Sequence, residues 1–557
     1  MHWHLLVLLG TLLSTAVQAH QVIYQVVANP PPNASVGVAI GEYVYGLKAD
    51  SDIPMLYHGP GPNNEPYRYV VYDGTNQLLD FESFERPAIQ HAERTFNEVY
   101  NRPWNKLKLT ELPQLYNFSS YSKNADPGAS KLFDEGTIAT LHFQAPNDEL
   151  HNMHTNKIQK IKVTGTLTYI NYDNIQQIED VEIKIGGHSS RGWAKVPYKI
   201  KIPSTAEDGL HRRWELKLRS EATDPTMMRE KIYSDLLKST GVLAARGAYV
   251  RVYMNDTPIG LYLLMDDAGS ESYIRETIHD GDPSVTLGAM IQGDAGKGEY
   301  SASFEFEGFD ESLYDERVYD VKTEGPEGEG TAMKFLLQFM DFINQYEPSE
   351  QPNDVQALNV WQPKIDMVRY VRQMALEWIG GSWDAVIYSG NNFMLYRHPQ
   401  TKQFIMVPMD FDYTFGNGLE ADQRYIMTGT WQEFTSNRKP HSYLWEKVKA
   451  TAFLEALYEQ TLKEINDQLT NPDVLLKRID SMVYFLQHDV AWDRSLDKMT
   501  AGLVKPWTTD DFVKSLNQGL GETDNLVGLE EWIKLKYNST NTYFAAKTDE
   551  AQGQVAQ

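Results

Sequence analysis

Short β-rich runs separated by Pro, Gly and Asn turns fill the first part of the chain, at residues 22–27, 36–44 and 67–72. This pattern predicts a small β domain or sheet extension. Residues 81–115 are mixed, with a short helix expected over 93–100, and the Ser/Asn/Gly-rich stretch 117–136 reads as a connector. From Ile138 onward strand candidates follow at 161–170, 180–185 and 198–202. A helix is then expected to start at Asp224 and Pro225, since Asp accepts a backbone N–H as N-cap and Pro is tolerated in the first turn. Met228, Ile232 and Leu236 form its apolar stripe, and Gly241 closes it. Runs at 248–254 and 258–265 flank Asn255, Asp256 and Thr257 as a further hairpin. The order predicts a five-stranded sheet with one helix.

Residues 281–330, rich in Gly, Glu and Asp, read as an insertion. Helical spacing resumes at 331–346 and again at 364–380, where Ile365, Val368, Val371, Ala375, Trp378 and Ile379 recur near a 3.6 period before Gly380 and Gly381. Further helices are expected over 445–469 and 474–486, with one more starting at Asp510 and Asp511. Between 392 and 408 two apolar runs are split by a polar segment carrying Pro399, the signature of a β-hairpin. With a turn at 398–402, Arg397 pairs with Gln403 and Asn392 lies opposite Pro408, so Asn392 falls beside Asp410.

A carboxylate and an amide carbonyl held side by side supply half a Mg²⁺ site, to be completed by phosphate oxygens. Asp384, eight residues before Asn392, is placed to take or orient the proton of an attacking hydroxyl. The order acid, Asn, hairpin, acid is that of phosphoryl-transfer enzymes of the protein-kinase type. Gly186, Gly187, His188, Ser189, Ser190, Arg191 and Gly192 follow a strand and precede Lys195, Lys199 and Lys201. Such a loop could turn backbone N–H groups toward phosphates, although a Gly turn beside solvated lysines explains it too. Arg219, Arg229 and Lys231 could likewise meet phosphates or an acidic partner, but charges on an exposed face are ordinary. No zinc-ligand spacing and no Gly-x-Ser-x-Gly elbow occurs.

Composition narrows the setting. The 557 residues imply two or three domains, and 41% hydrophobic with 12% aromatic residues suffices for well-formed cores. Lys and Arg number 51 against 76 Asp and Glu, 51 − 76 = −25, which disfavours nucleic acid and anionic membranes as partners. Residues 5–17 form an apolar stretch of signal-peptide length, with Val17, Gln18 and Ala19 before a cleavage expected ahead of His20. Cysteine is absent, so extracellular stability must come from burial. Sequons at Asn33, Asn117, Asn255 and Asn538 fit a secretory route, and residues 545–557 lack the hydrophobic tail of a lipid-anchor signal. The expectation is a secreted protein without a membrane span, free or held loosely at a wall or cell surface.

The motifs Gly187-His-Ser-Ser-Arg191, Lys195-Val-Pro-Tyr-Lys-Ile-Lys201, Leu216-Lys-Leu-Arg-Ser220, the run from Asp224 to Leu237, Tyr249-Val-Arg-Val-Tyr-Met-Asn255, Gly260-Leu-Tyr-Leu-Leu264 and Asp410-Phe-Asp-Tyr-Thr-Phe-Gly416 stand in this order. Together they resemble the CotH (spore-coat protein H) kinase-like family, in the branch secreted by mucoralean fungi. The resemblance implies an α+β, atypical protein-kinase-like bilobal fold with an N-terminal β-rich domain. On that basis 1–19 is the signal peptide, 20–137 the β-rich domain and connector, 138–267 the small lobe, 268–430 the large lobe, and 431–557 its helical extension. It further implies binding of ATP with Mg²⁺ and transfer of phosphate to Ser of secreted or coat proteins. Carried over by motif, Asp384 resembles the catalytic-loop acid, Asp410 the metal-binding acid, and Asn391 or Asn392 the loop Asn. Asp412 is a second metal candidate, with a structural salt bridge as the alternative. Lys195, Lys199, Lys201, Ser190 and Arg191 are the candidates for nucleotide contact.

Some relatives in that branch act as ligands for host-cell surface receptors through a Gly/Asn/Asp-rich loop, and residues 288–300 occupy the corresponding region with a different sequence. An adhesin on a kinase-like scaffold is therefore the alternative reading. Glycoside hydrolysis by paired Asp384 and Asp410 ranks last, because it leaves Asn392 without a role.

Overall fold

The computed structural model describes residues 21–63, 65–118, 126–296, 300–435, 442–520 and 525–555, a mixed α+β structure. The expected signal peptide lies outside the described residues. Seven strands, β1 (Gln21–Val27), β2 (Ser35–Ile40), β3 (Tyr43–Ala49), β4 (Leu56–Pro62), β5 (Tyr67–Tyr72), β6 (Leu78–Phe81) and β7 (Glu98–Val99), form a sheet ordered β6-β5-β2-β3-β4-β1-β7. Residues 93–100, expected as a helix, are extended instead, with Val26 paired in parallel to Glu98. Glu98 is buried and accepts the Tyr67 and Tyr69 hydroxyls at 2.9 and 2.7 Å, so tertiary pairing overrides local propensity here.

A second set closes on itself: β8 (Ala139–Gln144), β9 (Lys162–Ile170), β10 (Ile175–Ile185), β11 (Tyr198–Lys201), β12 (Glu215–Arg219), β13 (Gly247–Met254) and β14 (Thr257–Asp266) make a barrel ordered β10-β11-β12-β14-β13-β8-β9. The expected five-stranded open sheet is thus corrected to a closed seven-stranded one. The difference comes from β12, whose Glu-Leu-Lys-Leu-Arg alternation is short and charge-rich, and from β8, which pairs in parallel with β13. Closure removes exposed edges and encloses a core of its own, including Leu141, Val163, Ile183, Leu216, Val250 and Leu264.

Helix α1 (Asn147–Thr155) lies between β8 and β9, and α2 (Arg229–Ser239) between β12 and β13. Helix α2 begins five residues later than its expected start. Asp224 instead closes a tight turn, accepting the backbone N–H of Thr226, Met228 and Arg229 at 2.9, 3.0 and 2.8 Å, and Met227 adopts a left-handed φ of 52° that no helix tolerates. Its stripe of Met228, Ile232 and Leu236 is fully buried, and Gly241 at φ 68° ends it as expected.

After α3 (Glu271–Ile278) come β15 (Met290–Gly293), β16 (Tyr319–Thr323), α4 (Thr331–Gln345), α5 (Gln356–Trp361), α6 (Met367–Gly380), α7 (Val386–Ser389), β17 (Phe393–Arg397) and β18 (Phe404–Pro408). The stretch expected as an insertion supplies β15 and β16, which join the hairpin in a sheet ordered β16-β15-β17-β18. Helix α6 is capped by Asp366, which accepts from Arg369 N, and ends at Gly381 with φ 58°. The chain finishes with α8 (Tyr443–Ala450), α9 (Ala452–Gln468), α10 (Pro472–Ser495), α11 (Thr509–Asn517) and α12 (Leu529–Val555). The single helix expected over 445–469 is broken at Thr451, whose φ/ψ of −93°/106° is extended.

Helix α10 is the bolt between the barrel and the helical body. Its Asp489 is fully buried and takes Arg102 at 2.8 Å from the segment after β7 and Arg251 at 2.6 Å from β13. Removing this carboxylate strands two buried guanidinium groups, so Asp489→Ala is expected to lower unfolding stability by about 3–5 kcal/mol, read as a fall in the urea midpoint. Burial alone would raise the Asp489 carboxyl, but the two guanidinium groups outweigh it and hold it below its ordinary value. Its contribution is therefore present above the ordinary Asp value and is lost as pH falls through the depressed one; the variant's stability should change less than the parent's over that acid range.

Candidate functional site

The hairpin delivers two acids and an amide to one place, with a register one residue off the expected one. Phe393 pairs with Pro408 and Arg397 with Phe404, because His398 N still bonds Gln403 O at 2.9 Å and the loop is four residues, closed by Lys402 at φ 62°. Asn392 therefore lies opposite Met409, whose N–H donates to Asn392 O at 2.8 Å, and Asp410 is the next residue. Asn392 and Asp410 both take left-handed φ values, 58° and 61°. Such conformations in Asn and Asp are tolerated at a cost and gather where geometry matters more than propensity.

Asp384 sits at the entry to α7, and both loop asparagines serve it. Asn391 Nδ2 donates to Asp384 Oδ1 at 2.9 Å, and Asn392 Nδ2 donates to Asp384 O at 2.8 Å and to Oδ2 at 3.2 Å. Asn391 Oδ1 is taken by Ala295 N at 2.9 Å. Asn391 is thus spent on bracing, whereas Asn392 keeps Oδ1 available. Burial, and then the neighbouring Asp410 charge, push the Asp384 carboxyl up to about 6 against the lowering effect of the asparagine amides. The loop is held from behind by Glu377 of α6, a buried carboxyl that accepts Ile387 N at 2.9 Å and is itself pushed by burial up to about 7. On the other side Trp383 Nε1 donates to Asn417 O at 2.9 Å and its ring lies 4.7 Å from Tyr413.

Facing these acids is Arg219, the last residue of β12. Its Nε bonds Glu230 of α2 at 2.8 Å, its Nη2 pairs with Asp410, and Asp412 lies 3.6 Å away. One guanidinium therefore joins the barrel, α2 and the loop that follows the hairpin. Burial and then the Asp410 charge raise the Asp412 carboxyl, while Arg219 outweighs burial at Asp410 and lowers it. Helix α2 is fixed on its far side by alternating charges. Lys231 bonds Glu135 at 3.1 Å and pairs with Asp235, and Arg478 of α10 reaches Glu135 at 2.5 Å and Asp235 at 2.8 Å. Phe411, between the two acids of the Asp-Phe-Asp run, packs 5.1 Å from Tyr233 of α2.

The other candidates are placed differently. Lys195 is buried, bonding Leu261 O and Asp493 each at 2.6 Å, and it ties β14 to α10. Arg191 folds back on Gly186 O at 3.1 Å and Ile158 O at 2.9 Å, bracing the loop from inside. Lys199 pairs with Asp267 at 3.1 Å, and Lys201 lies 4.0 Å from Glu215 and is largely exposed. Ser190 sits in the short turn Ser189–Gly192, its Oγ packed where a side chain on Gly187 would fall.

Three side chains here escaped sequence reasoning: Glu230, which pairs with Arg219, Glu221 and Asp294. Both oxygens of Glu221 are buried without a hydrogen-bond partner, and burial followed by the Glu230 charge raises its carboxyl well above the ordinary value. Asp294, at the end of β15, is raised by burial and feels both His188 and Asp410. A cation closing a strand ahead of a helix with Glu in its first turn is the one local signal that could have found the Arg219–Glu230 pair.

Among the described residues no group of three or more His, Asp or Glu side chains could hold a metal ion by itself. The fit to Mg²⁺ is that of a half-site, with the Asp410 carboxylate and the free Asn392 Oδ1 as hard oxygen donors needing phosphate oxygens to complete the shell.

An α+β chain with a closed barrel on one side of an acid-rich cleft and an Asn–Asp hairpin on the other is the class that fold and site define. The family profile described as CotH kinase protein matches residues 183–518, more than half of the chain. The chain belongs to that family. It is 27% identical to Invasin CotH2 of Rhizopus delemar, over 84% of this chain and 76% of that protein. It is 28% identical to Invasin CotH7 of the same fungus, over 93% and 82%. It is 24% identical to the inner spore coat protein H of Bacillus subtilis, over 53% and 78%.

A carboxyl raised in the folded state stabilises while protonated, so the contribution of Asp384 is complete below its ordinary value and is lost as pH rises through about 6. Asp384→Asn, which mimics the neutral acid, should therefore raise stability by up to about 3 kcal/mol at neutral pH and by nothing below the ordinary Asp value. Thermal melts of both proteins across that range measure it.

Proposed function

We propose that the chain is a secreted atypical protein kinase that transfers phosphate from Mg-ATP to Ser of secreted or surface proteins. In this reading the barrel with α2 is the small lobe of a bilobal kinase-like fold, and the helical body with its four-stranded sheet is the large one. The observation that carries it is the meeting of Arg219, Glu230 and Asp410 opposite Asp384. A strand cation paired to a helix acid, beside a metal-binding acid and across from a proton acceptor, is the arrangement phosphoryl transfer requires.

Each side chain then has one task. Asp384, held by Asn391 and Asn392, accepts the proton of the acceptor hydroxyl once ionised, which its raised carboxyl permits above about pH 6. Asp410 and Asn392 Oδ1 would hold Mg²⁺, which when bound neutralises phosphate charge. Arg219 replaces the usual lysine as the cation of the pair with the helix acid, and its planar fork suits phosphate oxygens. Glu230 and the Glu135–Lys231–Asp235–Arg478 ring keep that guanidinium in the cleft. The backbone of residues 186–192 is the candidate cover for the phosphates, with Lys199 and Lys201 beside it, while Lys195 is held in a buried pair with Asp493.

A second reading is a non-catalytic surface protein that binds host cells. It is supported by the name invasin carried by two of the relatives.

Saturating ATP with Mg²⁺, at about a hundred times its Kd, should stabilise the protein by ~2.7 kcal/mol in a thermal shift. Labelled phosphate should pass to an acceptor at a rate that rises as pH climbs through about 6. Asp384→Ala should abolish transfer and keep the nucleotide shift, whereas Arg219→Ala and Asp410→Ala should lose both. Unchanged transfer in the Asp384→Ala, Asp410→Ala double variant rejects the kinase reading, and no nucleotide shift in the parent favours the second.

A further inference from the structure

We propose that Glu377 is a positioning residue whose proton keeps the Asp384 loop in place, which gives the site an upper pH limit set from beneath it. The movement of the loop stands on its own geometry, and only its effect on phosphate transfer rests on the kinase reading. Residues 383–391 form one tied unit. Ser389 Oγ donates to Trp383 O at 2.7 Å, Ser389 N and Asn391 N donate to Ala385 O at 3.0 and 3.3 Å, and Asn391 Nδ2 closes on the Asp384 carboxyl at 2.9 Å. Glu377 of α6 fastens this unit from below. Its Oε2 accepts Ile387 N at 2.9 Å, its backbone O accepts Ser382 N at 2.8 Å, and its Oε1 accepts Gln373 Nε2 at 3.1 Å.

No countercharge comes with this grip. Glu377 is 1% exposed, and among the described residues no Lys, Arg or His pairs with it. The groups that feel its charge are phenols, Tyr233 of α2, Tyr370 of α6 and Tyr458 of α9, each kept protonated by burial. The cations of α6 are turned elsewhere, Arg369 to Asp366 and Arg372 to the Tyr116 ring. Lys536 of α12 lies 3.3 Å from the neighbouring Trp378 ring and donates to Ile426 O. A charge on Glu377 is therefore uncompensated, and the neutral acid is the form that the packed loop accommodates. Burial pushes this carboxyl up to about 7.

A carboxyl raised in the closed loop stabilises that loop while protonated. This contribution is complete below the ordinary Glu value and is lost as pH rises through about 7. Once Glu377 is ionised, opening the junction of α6 and α7 lets water reach the carboxylate, and Gly380–Gly381, with Gly381 at φ 58°, is where the backbone turns. Asp384 lies on the moving side. It must be ionised to accept a proton, which favours higher pH, whereas Glu377 must be neutral to hold the loop, which favours lower. The two carboxyls leave a window between about 6 and about 7.

Hydrogen–deuterium exchange over residues 385–392, corrected for the intrinsic pH dependence of exchange, tests the loop apart from any activity. In the Asp384→Asn protein, which lacks the loop's other raised carboxyl, protection is expected to fall about tenfold per pH unit between the ordinary Glu value and about 7, and then to level off. Adding Glu377→Gln, which keeps an acceptor for Ile387 N and carries no charge, should flatten the profile. A flat profile in Asp384→Asn alone, or an unchanged slope after Glu377→Gln is added, overturns the proposal. In the parent, transfer of labelled phosphate should decline above about pH 7, and Glu377→Gln should match the parent below that value and lose the decline, with KM for ATP unchanged. An undiminished parent rate above it, or the same decline in both proteins, overturns the control of transfer. No transfer from the parent at any pH rejects the kinase reading, and the exchange profiles still decide the role of Glu377.

Discussion

The cleft depends on one guanidinium. Arg219 ends β12, Glu230 opens α2, 11 residues later, and Asp410 follows the hairpin 191 residues on from Arg219. A partly enclosed Arg that bonds one carboxylate and pairs with another fixes direction as well as distance, because its donors form a rigid planar fork. A lysine at the same position would satisfy the charge and lose the angle. The barrel's orientation toward the acid-bearing sheet is thereby coupled to the chemistry of the site: whatever displaces Arg219 from Asp410 also loosens a contact between barrel and helical body.

That coupling would fail if α2 could slide. The helix is held by apolar packing of Ile232, Tyr233, Leu236 and Leu237 into the main core, and by the ring through Glu135 and Arg478 on its outer face. Apolar packing sets depth, whereas the charges set rotation, since a turn of the helix by one residue would break both contacts that leave it, Lys231 with Glu135 and Asp235 with Arg478. Burial of Arg478 makes the ring costly to open, because either acid left alone strands a buried guanidinium.

How much of this was legible in the sequence follows from range. Helix α6, its Gly381 stop, the hairpin and the Asp384–Asn392–Asp410 order are written in a few dozen consecutive residues, where periodicity and turn chemistry act. The register slipped by one because it hangs on whether His398 pairs with Gln403, a matter of the left-handed Lys402 that no apolar pattern records. Barrel closure was illegible, since the parallel β8–β13 pair joins segments more than a hundred residues apart. Lys195 illustrates the hardest case. Its position after the glycine loop suggests phosphate, and only the distant Asp493 shows that its charge is spent inside the protein.

The remaining feature of the cleft is its imbalance. Acids outnumber cations here, with Asp410, Asp412, Glu221 and Glu230 about Arg219 and Lys217 farther off, and burial together with mutual repulsion raises the carboxyls of Asp384, Asp412, Glu221 and Asp294. A core selected for stability alone would neutralise such a set with further cations or replace it by apolar residues, because partly satisfied buried polar clusters cost more than they return. The cost is tolerable where a cationic ligand supplies the missing charge, and a half-site of hard oxygens is what the Asn392 carbonyl and Asp410 present. The left-handed φ of Asn392 and Asp410 is a second local cost at the same place, and on the proposed reading it would be offset by the bound cation.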